Sequence, residues 1–587
     1  MILNFTKMKT MIKNTRRKYI IGVLTAALCL SSCSDSINID PQDKLNNKQV
    51  YNNIYDADAA IVGIYGKFMQ LAEKHVLLNE LRADLASPTE NATRFIKELS
   101  EHSVSDDNPY ANPREFYELI NLCNDALKNF EIMKNEKTMS SGEYNERYSD
   151  IGCLRSWLYL QLGIHYGNVP YVTEPIENVD DIKDLKEDAK LSFNDLLSDL
   201  IEFVEEELPY TDPYSNSSSL VIDVDGYNTA KFFINKKCLL GDLYLWQGNY
   251  LKAASNYKEV MSTADGAADI NDRYDIYRIR ANFPNQVTLA VGYLRYREQD
   301  INSLINSNDD GWRSMFSRER DELWNTEWIW SLPFDASFAP RNPFIDIFSP
   351  SGSYLIKPSQ AAIDYWDDQK QLNGFSYDAR GKKFTYNMIN DQPVIMKYLY
   401  NYLGENQLPI DMFETGGNWF LYRAAKLHLR FAEAANRDGQ QRIADALLNV
   451  GIQSEYTTGA VDVTNEEKTD LPFPYDFDAR QGDFPYYRGD WHRNDGIRRR
   501  AYVERAPIIG DPLISLEDNI IMESALELAY EGNRWEDLLR IALRRNDPTF
   551  LADKIYNKLS KDGNPNAGSV RTKLMNPDNW YLPFNWK

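Results

Sequence analysis

The feature that most constrains this chain is the run Leu240-Gly241-Asp242-Leu243-Tyr244, then Gly248-Asn249-Tyr250, then Ala253, Tyr257 and Val260. Its offsets match the tetratricopeptide pattern, a helix, a turn and a second helix. The spacing has a packing reason. Gly241 and Ala253 let two antiparallel helices approach closely, Gly248 ends the first, and Tyr244, Tyr250 and Tyr257 fill the groove between them. Such a pair buries little by itself and must stack on others, so one core can extend along the chain as a solenoid. A second unit is expected from Arg423 through Phe431 to Ala434, then Gly439 and Ala444 to Leu447, and a third from Leu154 to Gly167, stopped by Pro170. Apolar residues recur at helical spacing elsewhere, as at Phe193, Leu196, Leu197, Leu200 and Val204. The segment from about Asp265 to Ala424 is instead rich in Asn, Asp, Gly, Pro and aromatics. It reads as irregular loops with short strands, for example Trp328 to Phe334. The expected fold class is mainly α: a tetratricopeptide-like helical-pair scaffold carrying a loop-rich, mixed variable region.

Lys7, Lys9, Lys13, Arg16, Arg17 and Lys18 precede the apolar run Tyr19 to Leu30, which reads as a secretory signal peptide over residues 1–32. About a dozen apolar residues fall short of the roughly 20 that a bilayer-spanning helix needs. No later segment is apolar for so long, so a mature chain without a membrane span is expected. Leu30-Ser31-Ser32-Cys33 resembles the bacterial lipobox, whose cysteine is acylated on its sulfur and its new amino terminus. Several acyl chains on one residue anchor stably where one would not. Residues 33–50 then read as the lipidated Cys33 and a polar tether.

A formal net charge of -22 repels nucleic acid and anionic lipid headgroups, which excludes both as electrostatic partners. Cys123, Cys153 and Cys238 each lie in an apolar helical pattern and read as buried small hydrophobes, neither disulfides nor metal ligands. No zinc-protease, nucleophile-elbow, phosphate-loop or Cys-x-x-Cys signature is present. His75, His102, His165, His428 and His492 show no ligand spacing. Asn306, Asn308, Asp310 and Gly311 echo half of a calcium loop, but Ser317 stands where the closing Glu belongs, and an Asn/Asp-rich turn is the better reading. No cofactor or metal is expected. Glycosidases need only two carboxyl groups, and with 87 Asp and Glu no pair can be singled out. Glu523, Glu527 and Glu531 share one helical face, along a scaffold helix and not in a cleft.

Sugar rings offer an apolar C–H face to aromatic rings and hydroxyls to amides, carboxylates and Arg. Loops carrying both kinds of group are candidates for ligand contact: Asn91, Arg94 and Tyr110; Tyr296, Trp312, Arg313 and Trp324; Phe338 and Arg341. Trp328 and Trp330, two apart in a strand, read as a shared core face.

Several stretches together resemble the SusD-like (RagB/SusD) family of outer-membrane nutrient-binding lipoproteins. They are Glu80-Leu81-Arg82-Ala83-Asp84, Leu154-Arg155-Ser156 through Tyr166-Gly167-Asn168-Val169-Pro170, Lys357-Pro358-Ser359, Asp378-Ala379-Arg380, Lys397-Tyr398 and, most specifically, Glu527-Leu528-Ala529-Tyr530-Glu531-Gly532-Asn533-Arg534-Trp535. In the last, Gly532 suits a left-handed helix cap, Glu536 and Asp537 suit the next helix N-terminus, and Arg534 is placed to pair with a carboxylate. The chain departs from the family at Glu523-Ser524, where Glu-Arg is usual, and at its short ending Pro583 to Lys587. The resemblance implies helical SusD-like regions over 51–264 and 424–587 flanking a loop-rich variable region over 265–423. It also implies a lipid-anchored outer-membrane protein, at the cell surface, that binds glycan and passes it to a TonB-dependent transporter without catalysis. The alternatives are peptide capture by the same architecture and a glycan-active enzyme.

Overall fold

The computed structural model describes residues 51–176, 190–209, 214–215, 217–224, 227–264, 276–280, 289–293, 301–305, 307, 311–317, 327–400, 403–404, 408, 416–457, 467–482 and 487–584. Cys33 and the leader, Tyr296, Trp324, and Asn306, Asn308 and Asp310 of the half calcium loop lie outside the described residues. Residues Ala57–Lys587 form one compact unit. No helix among the described residues is long and apolar enough to cross a membrane.

In chain order the main elements are α1 (Ile54–Phe68), α2 (Ala72–Glu80), β1 (Ala86–Pro88), α3 (Arg94–Ser100), α4 (Arg114–Glu136), α5 (Ser141–Tyr166), α6 (Phe193–Glu202), α7 (Lys236–Gln247) and α8 (Tyr250–Met261). There follow β2 (Trp328–Phe334), α9 (Phe344–Phe348), β3 (Ile356–Pro358), β4 (Tyr386–Ile389), β5 (Gln392–Ile395), β6 (Gly417–Arg423), α10 (Ala424–Arg437), α11 (Gln441–Leu448), α12 (Pro512–Glu527), α13 (Arg534–Arg545) and α14 (Pro548–Lys561). The architecture is mainly helical, as expected. Helix pairs α4/α5, α7/α8 and α10/α11 stack through α8 on α10 and α10 on α12.

The pair read most confidently from spacing forms as its residues dictate. Asn235 caps α7 by accepting from the Cys238 amide (3.0 Å), Gly248 closes it at φ 87°, and Asn249 caps α8 at once. A Cβ on Gly241 would stand 2.3 Å from Tyr257 Cε1, so only glycine admits this ring between the helices. The unit at Arg423 to Leu447 also forms, as α10 and α11. The third is placed differently. Leu154 to Gly167 is the second half of α5, and its antiparallel partner is the preceding α4, not a following helix. A capping box between Ser140 and Glu143 starts α5.

Strand β2 spans the expected Trp328–Phe334 and pairs antiparallel with β6, Gly417 opposite Phe334 and Arg423 opposite Trp328, with register shifts beside Tyr422. Both of its faces are buried. Trp328 and Trp330 accordingly have separate neighbours. Trp330 stacks on Phe68 (5.7 Å) and meets Trp157 edge-on (5.6 Å), whereas Trp328 meets Phe420 (5.3 Å) and donates to the Met315 carbonyl (3.1 Å).

Where the loop-rich segment meets α12, charge closes the core. Arg380 contacts Asp378 (2.5 Å), Glu523 (2.5 Å) and Glu527 (2.7 Å). Arg423 contacts Glu327 (2.7 Å), Glu527 (2.9 Å) and Glu531 (2.8 Å), and Arg500 contacts Glu327 (2.7 Å) and Glu527 (2.7 Å). Lys397 pairs with Glu531 (2.7 Å) and Arg498 with Glu523 (2.9 Å). The carboxylates Asp378, Glu327, Glu523, Glu527 and Glu531 are matched by Arg380, Arg423, Arg498, Arg500 and Lys397, which is how a buried seam of charge becomes tolerable. Burial alone would raise Glu527, yet Arg500, Arg423 and Arg380 hold it well below the usual carboxylate range. Burial brings Lys397 down to about 8 against the pull of Glu531. Glu523, which lacks an arginine at position 524, is thus served from two distant segments.

A second seam joins α2 and β1 to the turn before α13. The Gly532 and Asn533 amides donate to Glu80 Oε1 (2.8 and 3.1 Å), and Arg534 grips Asp84 through two nitrogens (2.6 and 2.9 Å). Gly532 takes φ 81° and lies against His75, where a Cβ would come within 2.7 Å of the ring. Glu536 and Asp537 occupy the first turn of α13 and are also paired, with Arg430 and Arg540. Cys123, Cys153 and Cys238 are free and buried, and burial pushes the Cys123 thiol up to about 12.

Candidate functional site

The candidate surface begins with a two-strand ladder. β1 pairs antiparallel with β3, Ala86 opposite Pro358 and Pro88 opposite Ile356, and the Thr89 amide extends it by donating to the Leu355 carbonyl (2.9 Å). This ladder brings the loop after β1 against the loop after α9. Asn91 Nδ2 donates to the Ser353 carbonyl (3.3 Å), and Ser353 donates from its amide (3.0 Å) and Oγ (2.9 Å) to Asp346 Oδ1. Thr93 caps α3, which starts with Arg94; that guanidinium lies 4.5 Å over the Phe95 ring and pairs with Asp107. Asn108 fixes the return of the loop by donating to the Phe95 carbonyl (2.9 Å) and Glu98 (3.0 Å). Tyr110 then donates to Glu73 Oε1 (3.1 Å) on α2. Burial raises the Glu73 carboxyl, with Asp346 adding to the rise and Tyr110 opposing it.

The result is a ledge on which Asn91, Arg94 and Ser353 are exposed, and Phe95, Tyr110 and Asp346 half-buried. It offers an amide, a guanidinium, a hydroxyl and a carboxylate beside two ring edges, groups that bond hydroxyls and pack on C–H faces. Asn91, Arg94 and Tyr110 are therefore brought into one place. Phe338, half-buried, and Arg341, exposed, sit on the turn between β2 and α9, where Asp335 Oδ1 accepts from the Ser337 amide (2.8 Å). Glu73, Asp346 and Ser353 were not singled out from sequence; the Asp-x6-Ser spacing that closes the loop after α9 carries no recognisable pattern.

Trp312 and Arg313 belong elsewhere. Trp312 is fully buried, 4.9 Å from Phe316 and 6.0 Å from Phe384, with Lys397 Nζ 5.2 Å from its ring. It has no face to offer a ligand, and its expected role as a stacking ring gives way to a core role. Its Asn- and Gly-rich sequence surroundings suggested a loop tip, but the ring turns inward onto β4, β5 and β6. Arg313 stacks on Tyr400 (4.3 Å), and burial lowers its pKa.

The histidines are all buried. Burial lowers His75 to about 3, and His428 and His492 to about 4, so these stay neutral at physiological pH. No group of three or more His, Cys, Asp or Glu suited to a metal occurs among the described residues.

No family model matches the chain. Over 276 residues, 46% of this chain, it is 23% identical to the SusD-like protein P2 of Formosa agariphila, and the match spans 49% of that relative, about half its length. In fold it is similar over 91% of its length to a SusD superfamily protein from Bacteroides vulgatus, 96% of which is covered at a TM-score of 0.57 and 14% identity. Over 90% it is similar to surface glycan-binding protein A of Bacteroides thetaiotaomicron in complex with laminarihexaose, 95% of which is covered at a TM-score of 0.54 and 13% identity. The chain has the SusD superfamily fold.

Proposed function

We propose that this chain is a lipid-anchored surface protein that binds glycan and hands it to a TonB-dependent outer-membrane transporter. The observation that carries the binding reading is the ledge, where two loops remote in sequence set hydroxyl-bonding groups next to Phe95 and Tyr110. Laminarihexaose on a protein of the same fold supports a glycan over a peptide. The helical pairs would then face the transporter, and Cys33 would carry the acyl anchor, with residues 34–50 as tether.

Titration of the chain with a panel of glycans and peptides tests the ligand class: a glycan should bind, and Tyr110→Ala should weaken it by roughly 1 to 2 kcal/mol, about five- to thirtyfold. Binding of peptides alone would replace the glycan reading. Membrane fractionation of Cys33→Ala tests the anchor; a variant that still sediments with outer membrane in cells lacking the transporter sinks it. A glycan-active enzyme is the second reading, and the raised Glu73 carboxyl beside Asp346 is the observation in its favour. Chromatography of the glycan after prolonged incubation decides it, since a binder releases no product.

A further inference from the structure

A cleft of about 520 Å³ lies where α8 meets residues 468–478 and 490–491, lined among others by Lys258, Thr469, Phe473, Asp476 and Trp491. Its most telling element is Phe473, a ring left 50% exposed. The segment that carries it is tied down from both sides. The Thr469 amide donates to the Phe477 carbonyl (3.0 Å), the Phe477 amide donates back to Thr469 Oγ1 (2.8 Å), and the Ala479 amide donates to the Glu467 carbonyl (2.8 Å). Tyr475 anchors the segment to Asp438 (2.7 Å), the residue after α10, and the Trp491 amide donates to the Asp478 carbonyl (2.9 Å). Glu467 and Asp470 hold φ of 61° and 50°, a left-handed backbone that costs energy in non-glycine residues and clusters at ligand sites. Such fixing is what a stacking platform needs, because a ring already held in place loses little entropy when a ligand lands on it.

Most charges around the ring are paired, with Asp490 adding a further carboxylate to the lining. Lys258 pairs with Asp476 (3.1 Å), Lys468 with Asp470 (2.6 Å) and Arg480 with Asp478 (2.6 Å). The Asp470 and Asp476 carboxylates remain exposed enough to accept further hydrogen bonds, at 63% and 49%. The Trp491 indole N–H, buried in the lining, has no partner. A fixed apolar ring, paired charges and spare acceptors suit a neutral ligand with one apolar face and many hydroxyls.

We propose that this cleft is a second saccharide-binding subsite, in which Phe473 stacks on a sugar ring while Asp470 and Asp476 accept from its hydroxyls. It rests on the reading of the chain as a glycan binder, but it uses α8 with residues 468–478 and 490–491, not the ledge. The test is calorimetric titration of the full chain with laminarihexaose and the corresponding malto-, cello-, xylo- and mannohexaoses. Wild type, Phe473→Ala, Phe473→Tyr and the ledge double variant Arg94→Ala/Tyr110→Ala are compared. Phe473→Ala should melt like wild type and bind roughly five- to thirtyfold more weakly. Phe473→Tyr, which keeps the ring, should restore binding, and the double variant should leave the Phe473-dependent component in place. If Phe473→Ala binds every hexaose that wild type binds, with unchanged strength and stoichiometry, the subsite is overturned while glycan capture stands. A lowered melting temperature in Phe473→Ala marks the ring as packing and overturns the subsite too. Wild type that binds none of the five overturns both readings.

Discussion

The α7/α8 pair and the charge seam at α12 are both fully buried joints, yet they are built from opposite materials. In the pair, a glycine and a ring interlock within one repeat of sequence, Gly241 against Tyr257. In the seam, Glu527 is met by Arg380, Arg423 and Arg500, the first two of them 147 and 104 residues away. The pair tolerates error by moving a ring. The seam does not, because removing one charge from five matched pairs leaves a net charge buried without a counter-charge.

That contrast sets the size of the effects. Glu527→Ala takes the carboxylate that three arginines share, leaving each with its other partner but the buried seam one negative charge short. Breaking a buried pair costs about 3 to 5 kcal/mol, so chemical denaturation should show a loss in that range or a chain that fails to fold. A loss under about 1 kcal/mol would mean that water enters the seam and screens it. Trp312→Ala, beside Lys397, should cost about 3 to 5 kcal/mol through the cavity left, with ligand affinity unchanged in whatever variant remains folded. Weakened binding at unchanged melting temperature would return Trp312 to the ligand surface.

The seam between α2 and α13 allows a comparison by pH, since it holds two acids shifted in opposite directions. Burial raises Glu80 to about 7, against the Asn533 and Gly532 amides that lower it. Burial would also raise Asp84, but Arg534 brings it down to about 2. The folded state therefore holds the Glu80 proton more tightly than the unfolded chain does. Its contribution is full below about pH 4 and is lost as pH climbs through about 7, roughly 3 kcal/mol in all. Asp84 behaves oppositely: its contribution of roughly 2 kcal/mol is present above about pH 4 and lost as pH falls through about 2. Glu80→Gln should accordingly gain on wild type in denaturation midpoint between about pH 5 and pH 8. A difference that stays constant over that range refutes the shift.

The pair should respond less. Gly241→Leu forces Tyr257 out of its slot and should cost about 1 to 3 kcal/mol by overpacking. An unchanged melting temperature would show that the two helices slide apart freely. Smallest of all is the exposed Arg94–Asp107 pair on the ledge, whose loss should leave the melting temperature unchanged, so a clear destabilisation in Arg94→Ala would show that the ledge is structural.

What could be read from sequence follows the same division. Leu240 to Val260 and the strand Trp328–Phe334 are written in local spacing, and the structure has them where the spacing put them. Gly532 is left-handed as expected, but it sits in the turn before α13 and does not cap α12, which ends at Glu527 with Leu528 as its cap. Glu523 and Glu527 do share a face of α12, but Glu531, expected on the same helical face, lies past the helix end in the turn before α13. Their partners were not visible either, since nothing near Arg380 or Arg500 points to a helix more than a hundred residues from the former. Pairing α5 with α4 instead of the next helix is likewise a choice made by packing, not by pattern. The ledge was half legible: Asn91, Arg94 and Tyr110 share one loop, whereas Asp346 and Ser353 reach it only through the β1–β3 ladder. Phe473 did leave a trace, a ring between Pro472 and Pro474, which is an arrangement that does not form a helix.

The joint at Glu80 and Asp84 also orders events in time. Asp84 and Arg534 are 450 residues apart, and the Leu81 carbonyl is served by Lys558 a further stretch along. At about 5 to 20 residues per second, roughly 20 to 90 s of synthesis separate the two sides. Throughout that interval two acids destined for burial have neither amide nor guanidinium to meet, and the α2 segment cannot settle. A product broken off before residue 532 would lack both the amides that meet Glu80 and the guanidinium that meets Asp84, so the first-made layer closes only when the last-made one is present.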